Sequence, residues 1–170
     1  FGAAGTAFHM TYAIRVLGAP EGESGWFTVV MALGALASFF WGALADRTDN
    51  RVVLLFSTLL VGAASLWSVF APSLLWFYPV VFLTSVGMRG FDLAGYTIQM
   101  EFGPPAEVPR YVALTFGTQF IPRLVAPLAA GALADSLGYR TVFVYATLSS
   151  FLSLVAILFM RDPRGSHTAA

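Results

Sequence analysis

Residues 52–88, VVLLFSTLLVGAASLWSVFAPSLLWFYPVVFLTSVGM, hold not one charged side chain. The run is too long for a single membrane crossing and is punctuated once, at Ala71-Pro72-Ser73. A helix crossing a hydrocarbon layer about 30 Å thick needs roughly 20 residues, each rising about 1.5 Å. Two crossings with a proline turn between them therefore fill the stretch.

The same reading extends in both directions. Of 170 residues, 58% are apolar and 11% charged, with a mean hydropathy of +0.76; a soluble domain carries about 25% charged residues. Hydrophobic runs set against turns and charges give about six segments, near 1–18, 24–45, 51–71, 74–100, 109–134 and 140–160. Runs of this length without dyad alternation predict helices rather than barrel strands. The expected fold is an all-α membrane protein of about six transmembrane helices. Arg47, Arg51, Arg110, Arg161 and Arg164 fall on one side and Arg140 alone in the opposite loops. The arginine excess predicts that the loop at residues 46–51 and the carboxy terminus are cytoplasmic, in a cell (inner) membrane. Trp26, Trp76 and Tyr139 then sit near the outer interface, where amphipathic rings are favoured.

Several functions are excluded at this level. Net charge is zero and no basic patch interleaves with aromatics, so nucleic acid is not an expected partner. There is no cysteine, hence no disulfide, thiolate nucleophile or cysteine metal site, and no cofactor is expected. The chain opens on Phe1-Gly2-Ala3, without Met or a charged signal region, as expected of a piece of a longer protein.

A repeat runs through the segments. Gly42-Ala43-Leu44-Ala45-Asp46 recurs as Gly131-Ala132-Leu133-Ala134-Asp135, and the same offset pairs Pro20 with Pro109, Arg51 with Arg140, Val53 with Val142 and Thr58 with Thr147. Repeat one covers about 1–72, repeat two about 73–162, and 163–170 form a cytoplasmic tail. Each repeat holds an odd number of helices, so the second crosses in the opposite sense. Inverted three-helix repeats mark several secondary-transporter folds, with the site between repeats near the midplane.

The loop Gly42-Ala43-Leu44-Ala45-Asp46-Arg47-Thr48-Asp49-Asn50-Arg51 resembles the signature loop of the major facilitator superfamily, which links the second and third helices of each six-helix half. Gly42, Leu44, Ala45, Asp46, Arg47 and Arg51 match the family pattern; Asp49 stands where the family favours Gly, and Asn50 where it favours a basic residue. Glu101, Pro105, Glu107, Arg110 and Tyr111 resemble its connection into the eleventh helix. Pro127 through Gly131, and Gly138-Tyr139-Arg140 with Phe143, resemble its last two helices. The resemblance implies the carboxy-terminal half of a twelve-helix transporter, with an amino-terminal half as partner. Physically, Gly42 would let helices approach closely, Asp46 would accept from free N–H groups of the next helix, and Arg47 and Arg51 would supply counter-charge. Such a cluster serves either as a gating latch between bundles or as a capped, positive-inside loop.

Charge at bilayer depth is costly and points to function. The fourth segment carries Ser85, Arg89, Asp92, Tyr96 and Gln99 within an arc of about 80° at the helical period. Arg89 and Asp92 are close enough along it to pair, and Gly87, Gly90 and Gly95 beside them would admit a neighbour or a solute. The fifth segment adds Thr115, Gln119 and Arg123, where Pro122 and Pro127 free the carbonyls of Thr118 and Arg123. Asp92, the absent half or an anionic substrate are the partners open to Arg123. The first segment brings Thr6, His9 and Tyr12, with Arg15 placed to snorkel outward. An imidazole ordinarily titrates near neutral pH, which makes His9 a candidate carrier of a coupling proton. Arg89 and Arg123 against Asp92 leave a positive excess that would suit an anionic group.

The leading expectation is a secondary transporter of a small solute by alternating access, with protons as a candidate coupling ion. A six-helix module that dimerises as a pore, or a membrane sensor or scaffold, is the second class; an upstream frame encoding six further spans would exclude it. An intramembrane hydrolase would need Ser24 and His9 to meet, yet they lie about 20 Å apart along the helix rise.

Overall fold

The computed structural model describes residues 2–20, 22–101 and 107–159, with side chains from residue 8 onward except those of 24 and 101. Every regular element among them is a helix: α1 (Gly2–Arg15), α2 (Glu23–Ala35), α3 (Ala37–Arg47), α4 (Asn50–Phe70), α5 (Leu74–Glu101), α6 (Val108–Leu137) and α7 (Tyr139–Phe159). Five spans are long and apolar enough to cross a membrane: Gly25–Arg47, Asn50–Phe70, Leu74–Met100, Val108–Leu137 and Tyr139–Phe159. The proline turn at residues 71–73 separates α4 from α5, as the uncharged stretch requires.

The second expected segment is broken rather than continuous. At Leu36 the ladder tightens, with Leu36 N–H bonded to the Leu33 carbonyl at 3.1 Å and Phe39 N–H to the Leu36 carbonyl at 3.2 Å. No proline stands there. The break follows from what α5 does to α2: the Ser85 hydroxyl donates to the Met31 carbonyl at 2.8 Å, and Gly34 is seated directly on the Ser85 side chain. Beyond the break, Trp41 of α3 donates its indole N–H to the Val86 carbonyl at 2.8 Å. The two halves of this span are thus tied to neighbouring residues of one helix.

In lipid, helices gain little by burying large apolar groups, because the solvent is equally apolar; close packing of small residues takes over. α4 follows this rule. Its buried face holds Val53, Ser57, Val61, Ala64, Ser65 and Ser68. The hydroxyls of Ser57, Ser65 and Ser68 donate to the carbonyls of Val53, Val61 and Ala64, at 2.6, 2.9 and 2.9 Å. Their polarity is satisfied inside the helix. α5 meets this face through Gly87 and Gly90: a β-carbon on Gly87 would lie 2.9 Å from the Ser57 carbonyl oxygen, and one on Gly90 2.7 Å from the Trp41 ring. Gly95, by contrast, faces open space within this chain. Large side chains point outward instead, with Phe39, Phe40, Phe70, Leu75 and Phe159 among the most exposed.

Two contacts fix the ends of the bundle. Arg51, at the start of α4, donates to the carbonyls of Ile157 (3.1 Å) and Leu158 at the end of α7. Arg15 donates to the Tyr139 hydroxyl at 3.3 Å, at the start of α7. The loops that follow the two Gly-Ala-Leu-Ala-Asp copies therefore lie toward opposite ends of α7. Gly138, with φ of +85°, closes α6 through its N–H to the Ala134 carbonyl at 3.0 Å, a backbone conformation that suits glycine.

Candidate functional site

A cavity of about 260 Å³ opens between α1, α2 and α5. Its polar wall is His9, Thr84, Ser85, Arg89 and Asp92; its apolar wall is Met10, Phe27, Met31, Val81 and Met88. Small-molecule pockets run from about 300 Å³ upward, so this half accommodates a small solute or part of a larger one.

An aromatic cluster of α1 with the first turns of α5 and α7 positions the first of these groups. The His9 ring stacks on Phe143 at 5.4 Å between centroids and meets Phe77 edge-on at 5.5 Å. Tyr12, one turn along, packs on Phe77 at 5.4 Å and Phe143 at 5.1 Å. Tyr12 is 2% exposed and faces this core rather than the cavity. His9 is 6% exposed and its Nε2 has no hydrogen-bond partner; Thr84 is 5% exposed and its hydroxyl is equally unpartnered. A buried polar atom left unpaired costs about 1–3 kcal/mol.

The α5 stripe divides. Ser85, Arg89 and Asp92 line the cavity. Tyr96 turns toward α6, 6.0 Å from Phe116, and Gln99 lies outside the cavity with Oε1 buried and unpartnered. Arg89 and Asp92 do not pair: no ion pair joins them, although the spacing permits one. Both charges stay available to a third party.

On α6 the outcome differs from expectation. Thr115 returns its hydroxyl to the Tyr111 carbonyl at 2.9 Å, Gln119 is half-buried, and Arg123 is exposed; none of them lines the cavity. α6 packs beside α7 through Ala126, Ala130 and Ala134, and Arg123 lies before this seam, exposed. The positive excess expected from Arg89 and Arg123 together is therefore not gathered in one place. The side chain of Thr6, and residues 102–106 and 160–170 with Pro105, Arg161 and Arg164, lie outside what the structure describes.

The signature loop also differs in detail. Asp46 falls inside α3, exposed, and does not cap α4; the residue at the cap position is Asp49, whose side chain makes no capping bond. The helix runs on to Arg47 because the Thr48 hydroxyl closes it onto the Leu44 carbonyl at 2.7 Å. Gly42 meets no neighbour within 4 Å in this chain; Gly34, Gly87 and Gly90 make the close approaches. Arg47 is exposed, while Arg51 caps α7 as described above. A cation suits the last carbonyls of a helix.

Sequence reasoning missed Thr84, Phe27 and the three methionines of the cavity. Thr84 adjoins Ser85, and its hydroxyl in an apolar run was the available signal. Phe27 and Met31 stand among apolar residues of α2 with nothing to single them out.

The sequence profile of the Major Facilitator Superfamily matches residues 1–170. The chain belongs to that superfamily. Major facilitator proteins are membrane transporters and not enzymes, so the hydrolase reading has no support. Among similar proteins is the multidrug resistance protein MdtG of Enterobacter lignolyticus (strain SCF1), 30% identical over 138 residues, covering 80% of this chain and 32% of that protein. The purine ribonucleoside efflux pump NepI of Escherichia coli O127:H6 is 31% identical over 151 residues, 88% of this chain and 38% of the pump. MdtG of Salmonella choleraesuis (strain SC-B67) is 31% identical over 142 residues, 80% of this chain and 34% of the protein. The chain thus spans about a third of the length of these major facilitator relatives. No solved structure matches it significantly.

Proposed function

We propose that this chain is the carboxy-terminal half of a secondary transporter that expels a small, partly apolar solute by alternating access, and that the cavity between α1, α2 and α5 holds the solute. One observation carries the reading. Arg89 and Asp92 leave opposite charges unpaired on the wall of one largely apolar cavity, beside His9, Thr84 and Ser85. A structural role would have satisfied them. Export is the direction that the names of the relatives support. An amino-terminal half would supply the facing wall, with Asp46 and Arg47 of the exposed loop meeting it as a latch. The carboxy terminus is on the cytoplasmic side, by the arginine excess.

Proton coupling fits the same site. His9 lies on the cavity wall and is the group on which a proton would exchange for the solute. The test uses the full-length protein in proteoliposomes. Arg89→Ala and Asp92→Asn are expected to abolish flux while leaving membrane insertion intact, and His9→Phe to remove the response to a pH gradient. Wild-type flux in both charge variants removes the cavity from the mechanism.

A further inference from the structure

We propose that Trp41, which does not line the cavity, is a positioning residue for it: the indole fixes the turn of α5 that presents Arg89 and Asp92 to a solute. This deepens the transport reading and rests on its placement of the solute at that wall.

α5 has two faces. One lines the cavity with Ser85, Met88, Arg89 and Asp92, and open space cannot hold a helix against rotation. The other packs on its neighbours through Gly87 and Gly90, and glycine has no side chain to interlock with a groove. Rotation matters here. A group at the rim of a helix, about 5–6 Å from its axis, moves about 2 Å for every 20° or so. Binding groups tolerate about 10–20° of misorientation. The angle of α5 at this level therefore needs a directional contact.

Trp41 supplies one. It is buried in α3, and its indole N–H donates to the Val86 carbonyl at 2.8 Å. Two atoms of its ring stand 2.7 and 2.8 Å from where a β-carbon on Gly90 would lie. In an α-helix the carbonyl of residue 86 accepts from the N–H of residue 90. The indole thus touches both ends of one rung of the α5 ladder, taking the second lone pair of the carbonyl, and Arg89 lies within that rung. Hydrogen bonds weaken steeply away from their axis, so this contact opposes turning as well as separation. One turn beyond Gly90, Ala94 is buried in the same cluster as Trp41. Asp92 is therefore bracketed by two points of contact.

The experiment reads the placement directly, in full-length protein with Arg89 and Asp92 intact. Residues 1–170 hold no cysteine, so spin labels can be attached at Met88→Cys, on the cavity face of α5, and Leu59→Cys, on the exposed side of α4. Pulsed dipolar spectroscopy then gives the distribution of distances between them. Trp41→Phe keeps a ring and removes the donor; it is expected to shift or broaden the distribution by about 2 Å, the sweep of about 20°. Trp41→Ala is expected to do more. Val142→Ala opens a void in a cluster that holds no α5 residue, so it lowers stability elsewhere and is expected to leave the distribution as in the wild type. Unchanged distances in Trp41→Phe and Trp41→Ala overturn the proposal, as does a broadening that Val142→Ala reproduces. Distances are read without a solute. Broadening by Trp41→Phe beside wild-type flux in Arg89→Ala and Asp92→Asn therefore leaves the placement standing and removes the cavity from transport, whereas unchanged distances beside lost flux in those two variants do the reverse.

Discussion

The Ser85 hydroxyl of α5 donates to the Met31 carbonyl of α2 at 2.8 Å, one turn before α2 gives way to α3. Gly34 sits against the same side chain: a β-carbon there would lie 2.6 Å from Ser85 Cβ. Serine and glycine together let the two helices touch, and the carbonyl drawn sideways is part of why the span bends without a proline. Gly34→Ala is expected to destabilise the protein by about 1–3 kcal/mol through overpacking, and Ser85→Ala by about 1 kcal/mol through the lost hydrogen bond. Thermal unfolding in detergent measures both. Wild-type stability of Gly34→Ala would mean that α2 and α5 stand further apart.

The seam between α4 and α5 offers a sharper test. A β-carbon on Gly90 would lie 2.7 Å from the Trp41 ring and closer still to the Ser57 hydroxyl. Gly90→Ala is expected to cost about 1–3 kcal/mol. Adding Ser57→Gly should return part of that loss, giving a coupling above about 0.5 kcal/mol in a double-mutant cycle. Strict additivity would place the two residues in different contacts.

Trp41 is expected to act through its N–H as well as its bulk. Trp41→Phe removes the donor to the Val86 carbonyl at 2.8 Å and should lower stability by about 1 kcal/mol or more. Its effect on unfolding temperature should exceed that of the same change at exposed Trp76.

Arg51 ties the start of α4 to the last carbonyls of α7. Arg51→Gln is expected to cost about 0.3–1 kcal/mol and to speed amide hydrogen exchange selectively in the last turn of α7. Arg51→Lys, which keeps the charge without the fork, should fall between. Uniform exchange along α7 in both variants would show that the cap has no effect on the helix end.

Much of the fold was legible because lipid imposes simple bookkeeping on length and charge. The uncharged run at 52–88 and its proline turn located α4 and α5, and expected ends near 109, 134 and 140 fell within a few residues of Val108, Leu137 and Tyr139. The break at Leu36 was illegible, since its cause lies on another helix, at Ser85. The site was legible in part. Periodicity placed Ser85, Arg89 and Asp92 on one face of α5, and the cavity joins them to His9. Spacing could not say whether Arg89 and Asp92 close on each other, because it fixes where side chains start and not where they turn. Nor could the polarity of α6 reveal that Arg123 would be left exposed, outside the cavity.

The hydroxyls of Ser57, Ser65 and Ser68 in α4 return to their own helix. Side-chain hydrogen bonds join α5 to α2 and α3, and α4 to α7. α4 and α5 meet along a face of glycine, serine and valine. Such a face can shear by small steps and surrender only dispersion contacts as it moves, so the polar wall of the cavity would travel with α2, α3 and α5 as one body.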